Sequence, residues 1–188
     1  MISQDNRHDI INTAKRKKSS TISFRIDSDY EQKLRLEAEQ KRVSLNTLVN
    51  QIFGEHVELH HYIQRFGAIT MSKDAFKLIL ESLDEQKIIT LAINIASKAP
   101  EDFILFKWKE LSSNSVIDFM KMYFEHCGYG QYDYAKKQHT NIFSIRHELG
   151  TKGSLYLKTY VETVIKAALG RECKSIVTEE SIVVEFQE

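Results

Sequence analysis

The residues best equipped for chemistry in this sequence are its histidines, cysteines and carboxylates, and their spacing decides what they can do. Glu55-His56-Val57-Glu58-Leu59-His60-His61 sets His56 and His60 at i, i+4 on one helix face, a spacing that can hold zinc or nickel, with Glu55 nearby. The order is not His-Glu-x-x-His, so zinc-protease chemistry has no support. A polar helix end linking two domains is the better reading, and no resident metal or other cofactor is expected. Cys127 follows His126, while His139 and Cys173 stand apart, and no Cys-x-x-Cys spacing gathers them. Arg146-His147-Glu148-Leu149-Gly150-Thr151-Lys152-Gly153-Ser154 joins a strand to a helix through two glycines and can cradle an anion. It lacks phosphate-loop spacing, so a plain turn is expected. Spacing gives no Ser-His-Asp set. His126, Cys127, His147 and Glu148 are loose candidates for an enzyme, and none is expected. The aromatic set Tyr123, Phe124, Tyr129, Tyr132 and Tyr134 can line an apolar pocket, although core packing explains most of it.

The charges are the next feature able to act. The 188 residues carry 26 Lys+Arg and 26 Asp+Glu, a net charge of zero that taken as a total argues against a polyanionic partner. The distribution reverses that inference. From Ile10 to Ile26 there is no acidic residue, while Lys15, Arg16, Lys17, Lys18 and Arg25 fall there. The stretch Lys15–Ser20 has no apolar residue to bury, so residues 1–18 are expected to be a flexible basic tail. No run of 18 apolar residues exists, and a membrane-spanning helix is not expected. The first nine residues carry Asp5 and Asp9 and no apolar core, so a secretory signal is not expected either. Two cysteines are too few for a disulfide framework, which makes the reducing cytoplasm the expected compartment.

The elements that must position these charges follow at once. Thr21-Ile22-Ser23-Phe24-Arg25-Ile26 alternates polar and apolar strictly, with Ile22, Phe24 and Ile26 on one face and Thr21, Ser23 and Arg25 on the other. A lone strand leaves its backbone unsatisfied. No second strand follows for some 40 residues, so the same strand of another subunit is the expected partner. Asp27-Ser28-Asp29 supplies capping chemistry for a helix to about Lys41, with Tyr30, Leu34 and Ala38 as its stripe and Leu36 off that stripe. Ser44 caps a second helix whose apolar face is Leu45, Leu48, Val49, Ile52, Phe53 and Val57, running through Gly54 to roughly Tyr62.

This segment, about residues 19–60, resembles the ribbon-helix-helix DNA-binding family of the Arc, MetJ and CopG type. The resemblance is carried by Ser20–Ile26, the helix with Tyr30, Leu34 and Ala38, and Ser44-Leu45-Asn46-Thr47-Leu48-Val49. It implies a homodimer whose two strands pair antiparallel in the DNA major groove, which is wide enough for a two-stranded ribbon. Thr21, Ser23 and Arg25 would then meet base edges. Phosphates would meet Ser44, Leu45 and Asn46 at the second helix start, together with Lys15, Arg16, Lys17 and Lys18. Ile22, Phe24, Ile26, Leu34, Leu48, Val49, Ile52 and Phe53 would form the dimer core. The family often has glycine at the helix–helix turn. Here Arg42 has to accept a left-handed conformation, or the turn differs locally.

Residues 63–188 read as a second, α+β domain, regulatory or oligomerising, with several helices and an antiparallel sheet. A short strand is expected at Ala68–Met71, followed by helices capped by Ser72 and Asp84, the latter ended by Ala99-Pro100. Phe103–Trp108 is a short apolar run expected as a buried strand. From Asn114 onward an α-β-β order occurs twice, offset by about 40 residues. It comprises a helix to His126, strands Tyr132–Lys136 and Ile142–Leu149, a helix Lys152–Leu169, and strands Cys173–Thr178 and Ile182–Phe186. The whole reads as a DNA-binding transcriptional regulator of repressor type, its C-terminal domain available to a small-molecule or protein effector. The alternative is an antitoxin-type autoregulator whose C-terminal part binds a protein partner.

Overall fold

The computed structural model describes residues 19–62 and 69–188. The chain divides into two compact units, the first ending at Leu48 and the second starting at Val49.

In the first unit, residues 19–27 make no strand ladder within the chain. Helix α1 (Ser28–Gln40) starts where the Asp27 side chain accepts from the Asp29 amide at 2.9 Å, with Asp29 and Glu31 in the first turn, where acids suit the helix dipole. It ends in a paired return of the chain. The Arg42 amide donates to the Glu39 carbonyl and the Val43 amide to the Ala38 carbonyl, both at 3.0 Å. That pairing requires a left-handed residue after the cap, usually glycine. Arg42 fills it at φ 55°. Helix α2 (Leu45–Glu55) opens with the Ser44 hydroxyl accepting from the Thr47 amide at 3.0 Å.

The helix does not stop at Glu55. It widens into one π turn, His56–His60, and continues through residue 62, as the apolar stripe through Gly54 predicts. Beyond it lie α3 (Lys73–Ser82), α4 (Glu85–Ala96), α5 (Ala99–Trp108) and α6 (Ser113–His126). Then come β1 (Gln131–Lys137), β2 (Thr140–Arg146), α7 (Gly150–Leu169), β3 (Cys173–Val177) and β4 (Ser181–Gln187). The caps expected from sequence form: Ser72 accepts from the Ala75 amide at 3.2 Å and Asp84 from the Lys87 amide at 2.9 Å.

The second unit is thus α+β. Its four strands form one antiparallel sheet in the order β1-β2-β4-β3. The α-β-β order occurs twice, as α6-β1-β2 and α7-β3-β4, and the two hairpins meet through their second strands. Phe143 pairs with Val184, 41 positions on. On the inner face Phe143, Ile145, Ile182, Val184 and Phe186 are buried beneath α6 and α7, and α4 packs along α7. Gly170 ends α7 at φ 64°. Gly130 has a different reason: a Cβ there would stand 1.9 Å from the Arg146 carbonyl oxygen, so the backbones of β1 and β2 meet closely where the sheet begins.

Three expectations are corrected. Phe103–Trp108 is helical, not a strand. Pro100 falls in the first turn of α5, where its missing N–H costs nothing, and Glu101 and Asp102 complement the dipole there. An apolar run buried on several sides looks alike in either state. The short strand at Ala68–Met71 does not form over Ile69–Met71, and Ala68 lies outside the described residues. The strand expected to reach Leu149 stops at Arg146, because the His147 amide turns to donate to the Glu180 carbonyl at 2.8 Å. The basic run Lys15, Arg16, Lys17 and Lys18 also lies outside the described residues.

Candidate nucleic-acid interface

Thr21, Ser23 and Arg25 are all exposed on the segment leading into α1. So are the alternate residues: Ile22 is 75% exposed and Ile26 42%. Ile22, three-quarters exposed, forgoes most of the roughly 1.5–3 kcal/mol that full burial of such a side chain gives. The segment therefore presents a polar row and an apolar row, both open. Arg35 is answered by Glu31 and the cap residue Lys41 by Glu37, one turn away, whereas no ion pair forms at Lys33 among the described residues. Among the described residues no carboxylate answers Arg25.

At the start of α2, Ser44 and Asn46 are exposed and Leu45 is half-buried. The Ser44 hydroxyl takes the Thr47 amide, also contacting the Thr47 hydroxyl at 2.8 Å, and the first-turn amides around it carry the positive end of the helix dipole. Of the expected dimer core, Leu48 is buried, Leu34 and Val49 are half-buried, and Ile22, Phe24, Ile26, Ile52 and Phe53 are exposed.

The other candidates disperse. The His56 and His60 rings stack with centroids 6.2 Å apart, yet no group of three His, Cys, Asp or Glu able to hold a metal exists among the described residues. His147 is 4% exposed and holds a hydrogen-bond chain. Its Nδ1 accepts from the Leu149 amide at 3.2 Å and its Nε2 meets the Ser154 hydroxyl at 2.8 Å. Ser154 in turn donates to the Thr178 carbonyl at 2.7 Å. With Nδ1 accepting, Nε2 must carry the proton, so His147 cannot take a proton from Ser154. The pair braces β2, α7 and the β3–β4 turn and is not a nucleophile with its base. Glu148 is exposed and held by Lys73 at 2.9 Å, which keeps its carboxyl below the usual range. In the turn, Gly153 is fixed by packing, since a Cβ there would meet the Leu149 side chain at 2.1 Å.

The aromatic set divides. Tyr134 packs on Phe143 and donates to the Asn141 side chain at 2.8 Å, within the sheet core. Tyr123 and Tyr129 join Tyr156 and Tyr160 in a stacked cluster, with the Tyr123 and Tyr160 ring centroids 4.9 Å apart. Burial pushes the tyrosine hydroxyls up, and pushes the Cys127 thiol beside them up to about 11. Tyr156 was missed from sequence as a member of this cluster. Its signal was the Tyr156/Tyr160 spacing of i, i+4.

A HicB family model matches residues 9–53. Over that stretch the chain is similar to the HicB family. No curated protein matches the chain. The HicB-like stretch takes in the basic run, the exposed alternating segment, α1 and all but the last two residues of α2. It ends before the π turn and before every strand of the sheet.

Proposed function

We propose that the protein is a dimeric, sequence-specific DNA-binding regulator of transcription, with a C-terminal unit that senses an effector or oligomerises. The observation that supports it most is the segment Thr21–Ile26. It alternates strictly, makes no ladder within its own chain, and leaves Ile22 and Ile26 exposed within the stretch that is HicB-like. Pairing with the same segment of a second copy would satisfy the backbone, bury both isoleucines and bring two copies of Thr21, Ser23 and Arg25 onto one surface. A ribbon of that width fits the major groove. Arg25 offers bidentate hydrogen bonds to guanine, and Thr21 and Ser23 pair with several bases. Ser44, Leu45 and Asn46 would hold a phosphate through the start of α2, and Lys15–Lys18 would add attraction that weakens with salt. In this reading the protein works in the cytoplasm, is not an enzyme and carries no cofactor.

Selection of bound duplexes from a random pool, followed by anisotropy titration, tests the proposal. The selected sites should be pseudo-palindromic. Arg25→Ala should lose about 1–3 kcal/mol of discrimination at one base pair per half-site. Removing Lys15–Lys18 should weaken all sequences alike and flatten the salt dependence. Absence of any DNA binding at low salt would refute it.

The HicB match favours a second reading, an antitoxin-type autoregulator, in which the same ribbon represses its own promoter while residues beyond it sequester a toxin. Co-expression with the product of an adjacent gene separates the two. A stable complex that relieves that product's toxicity supports the second reading, and a C-terminal unit that binds nothing from its own operon supports the first.

A further inference from the structure

The second unit holds a cavity of about 240 Å³ between the π turn and helices α4, α5, α6 and α7. We propose that this cavity binds a small neutral aromatic molecule bearing one hydrogen-bonding group, of the size of a phenol or an indole. Close-packed interiors rarely leave voids larger than a water molecule. Here the buried side chains Leu59, Phe103, Phe119 and Tyr160 floor a recess that opens to solvent beside the exposed Ile95, Ala99 and Cys127. Size sets the ligand class: a dry cavity of about 150 Å³ takes benzene, and drug-sized ligands need about 300–1,000 Å³. One ring with a substituent, or two fused rings, fits between those limits.

Chemistry sets the polarity. Among the described residues no charged side chain lines the cavity, and the hydrogen-bonding side chains there are those of Tyr123, Tyr160 and Cys127. Desolvation keeps all three protonated at neutral pH, so they offer neutral donors and acceptors and no counter-charge for an ion. Tyr123 also stacks on Tyr129 and Tyr160, so a ligand hydroxyl placed beside it would lie against further tyrosines. This inference concerns the second unit alone and does not rest on DNA binding.

The test uses the full chain with Cys173→Ser, so that a thiol reagent reports on Cys127, which lies in the cavity wall. The probe is p-cresol, with toluene as its counterpart lacking the hydroxyl. p-Cresol should slow Cys127 modification saturably, and calorimetry should return the same affinity. Toluene should bind about fivefold more weakly, the value of one net hydrogen bond of about 1 kcal/mol. Tyr123→Phe should shrink that difference. Ala99→Phe, at an exposed position of α5 whose side chain borders the cavity, should abolish binding of both probes with the circular dichroism unchanged. Absence of saturable p-cresol binding, equal affinity for toluene in the unaltered cavity, or p-cresol binding that survives Ala99→Phe would each overturn the proposal.

Discussion

Residues 19–48 and residues 49–188 stand in different relations to water. In the first unit only Ala38 and Leu48 are buried among the described residues, and Ile22, Ile26, Tyr30 and Leu36 stay exposed. In the second, the central strands bury every inward residue and the aromatic side chains find one another. Tyr134 packs on Phe143, Phe76 on Tyr156 and Tyr123 on Tyr160. The second unit builds a large core from its own chain, although Val57, Ile69, Leu78 and Ile176 among others stay exposed on its surface. The first has the caps and helices of a folded element but not the buried area that would hold it alone. The difference teaches that caps and turns specify the local structure of the first unit without closing its apolar face.

The comparison is most severely tested in the core of the second unit. Phe143 is fully buried in β2, packed on Tyr134 and opposite Val184. Phe143→Ala should destabilise the second unit by about 3–5 kcal/mol, the usual cost of a large-to-small change in a packed core. Because the core is internal, the loss measured by denaturant melts should not change with protein concentration.

Ile22→Ala should show the opposite dependence. For a side chain this exposed in the chain taken alone, a substitution is expected to change stability by no more than about 0.5 kcal/mol. If two copies share a ribbon, each subunit loses burial of a large apolar side chain, about 1.5–3 kcal/mol. Sedimentation equilibrium should then show weaker dimers and melting that depends on concentration. An unchanged association constant would break the comparison at its centre.

Arg42 offers a smaller effect of the opposite sign. Its left-handed conformation costs about 1–2 kcal/mol for a residue with a side chain, and glycine returns part of that gain through its freer unfolded chain. Arg42→Gly should therefore stabilise the α1–α2 turn by up to about 1 kcal/mol in thermal melts. Arg42→Ala should give nothing, which separates conformation from charge.

What was legible in the sequence follows the same division. The caps at Asp27, Ser44, Ser72 and Asp84 are local chemistry and form as expected, as does the double α-β-β order, because hairpins and amphipathic helices carry their own periods. Arg42 was legible as a conflict between a turn that favours glycine and a residue that is not glycine. Phe103–Trp108 was not legible, because a run apolar on all sides has neither period; Pro100 was the better guide and was read only as an end, although proline also begins helices. The cavity was out of reach. Its wall takes Leu59, Phe103, Phe119 and Tyr160 from four separate elements, and only the tertiary arrangement leaves a space between them.

The least forceful test of the second unit is a titration. Burial holds the His147 imidazole below its usual value of about 6.5. The folded chain thus binds fewer protons at this residue than the unfolded chain does, and stability must rise with pH wherever that difference exists. The contribution is complete above the unfolded value and is lost as pH falls below it, until the folded imidazole protonates as well. The second unit should therefore melt at lower temperature at pH 5 than at pH 7.5. His147→Gln, which removes the titrating group, should flatten that slope. Because His147 braces β2 against α7 through Ser154, the same variant should lower the melting temperature at both pH values. A slope that survives the substitution would place the proton uptake elsewhere and remove His147 as its cause.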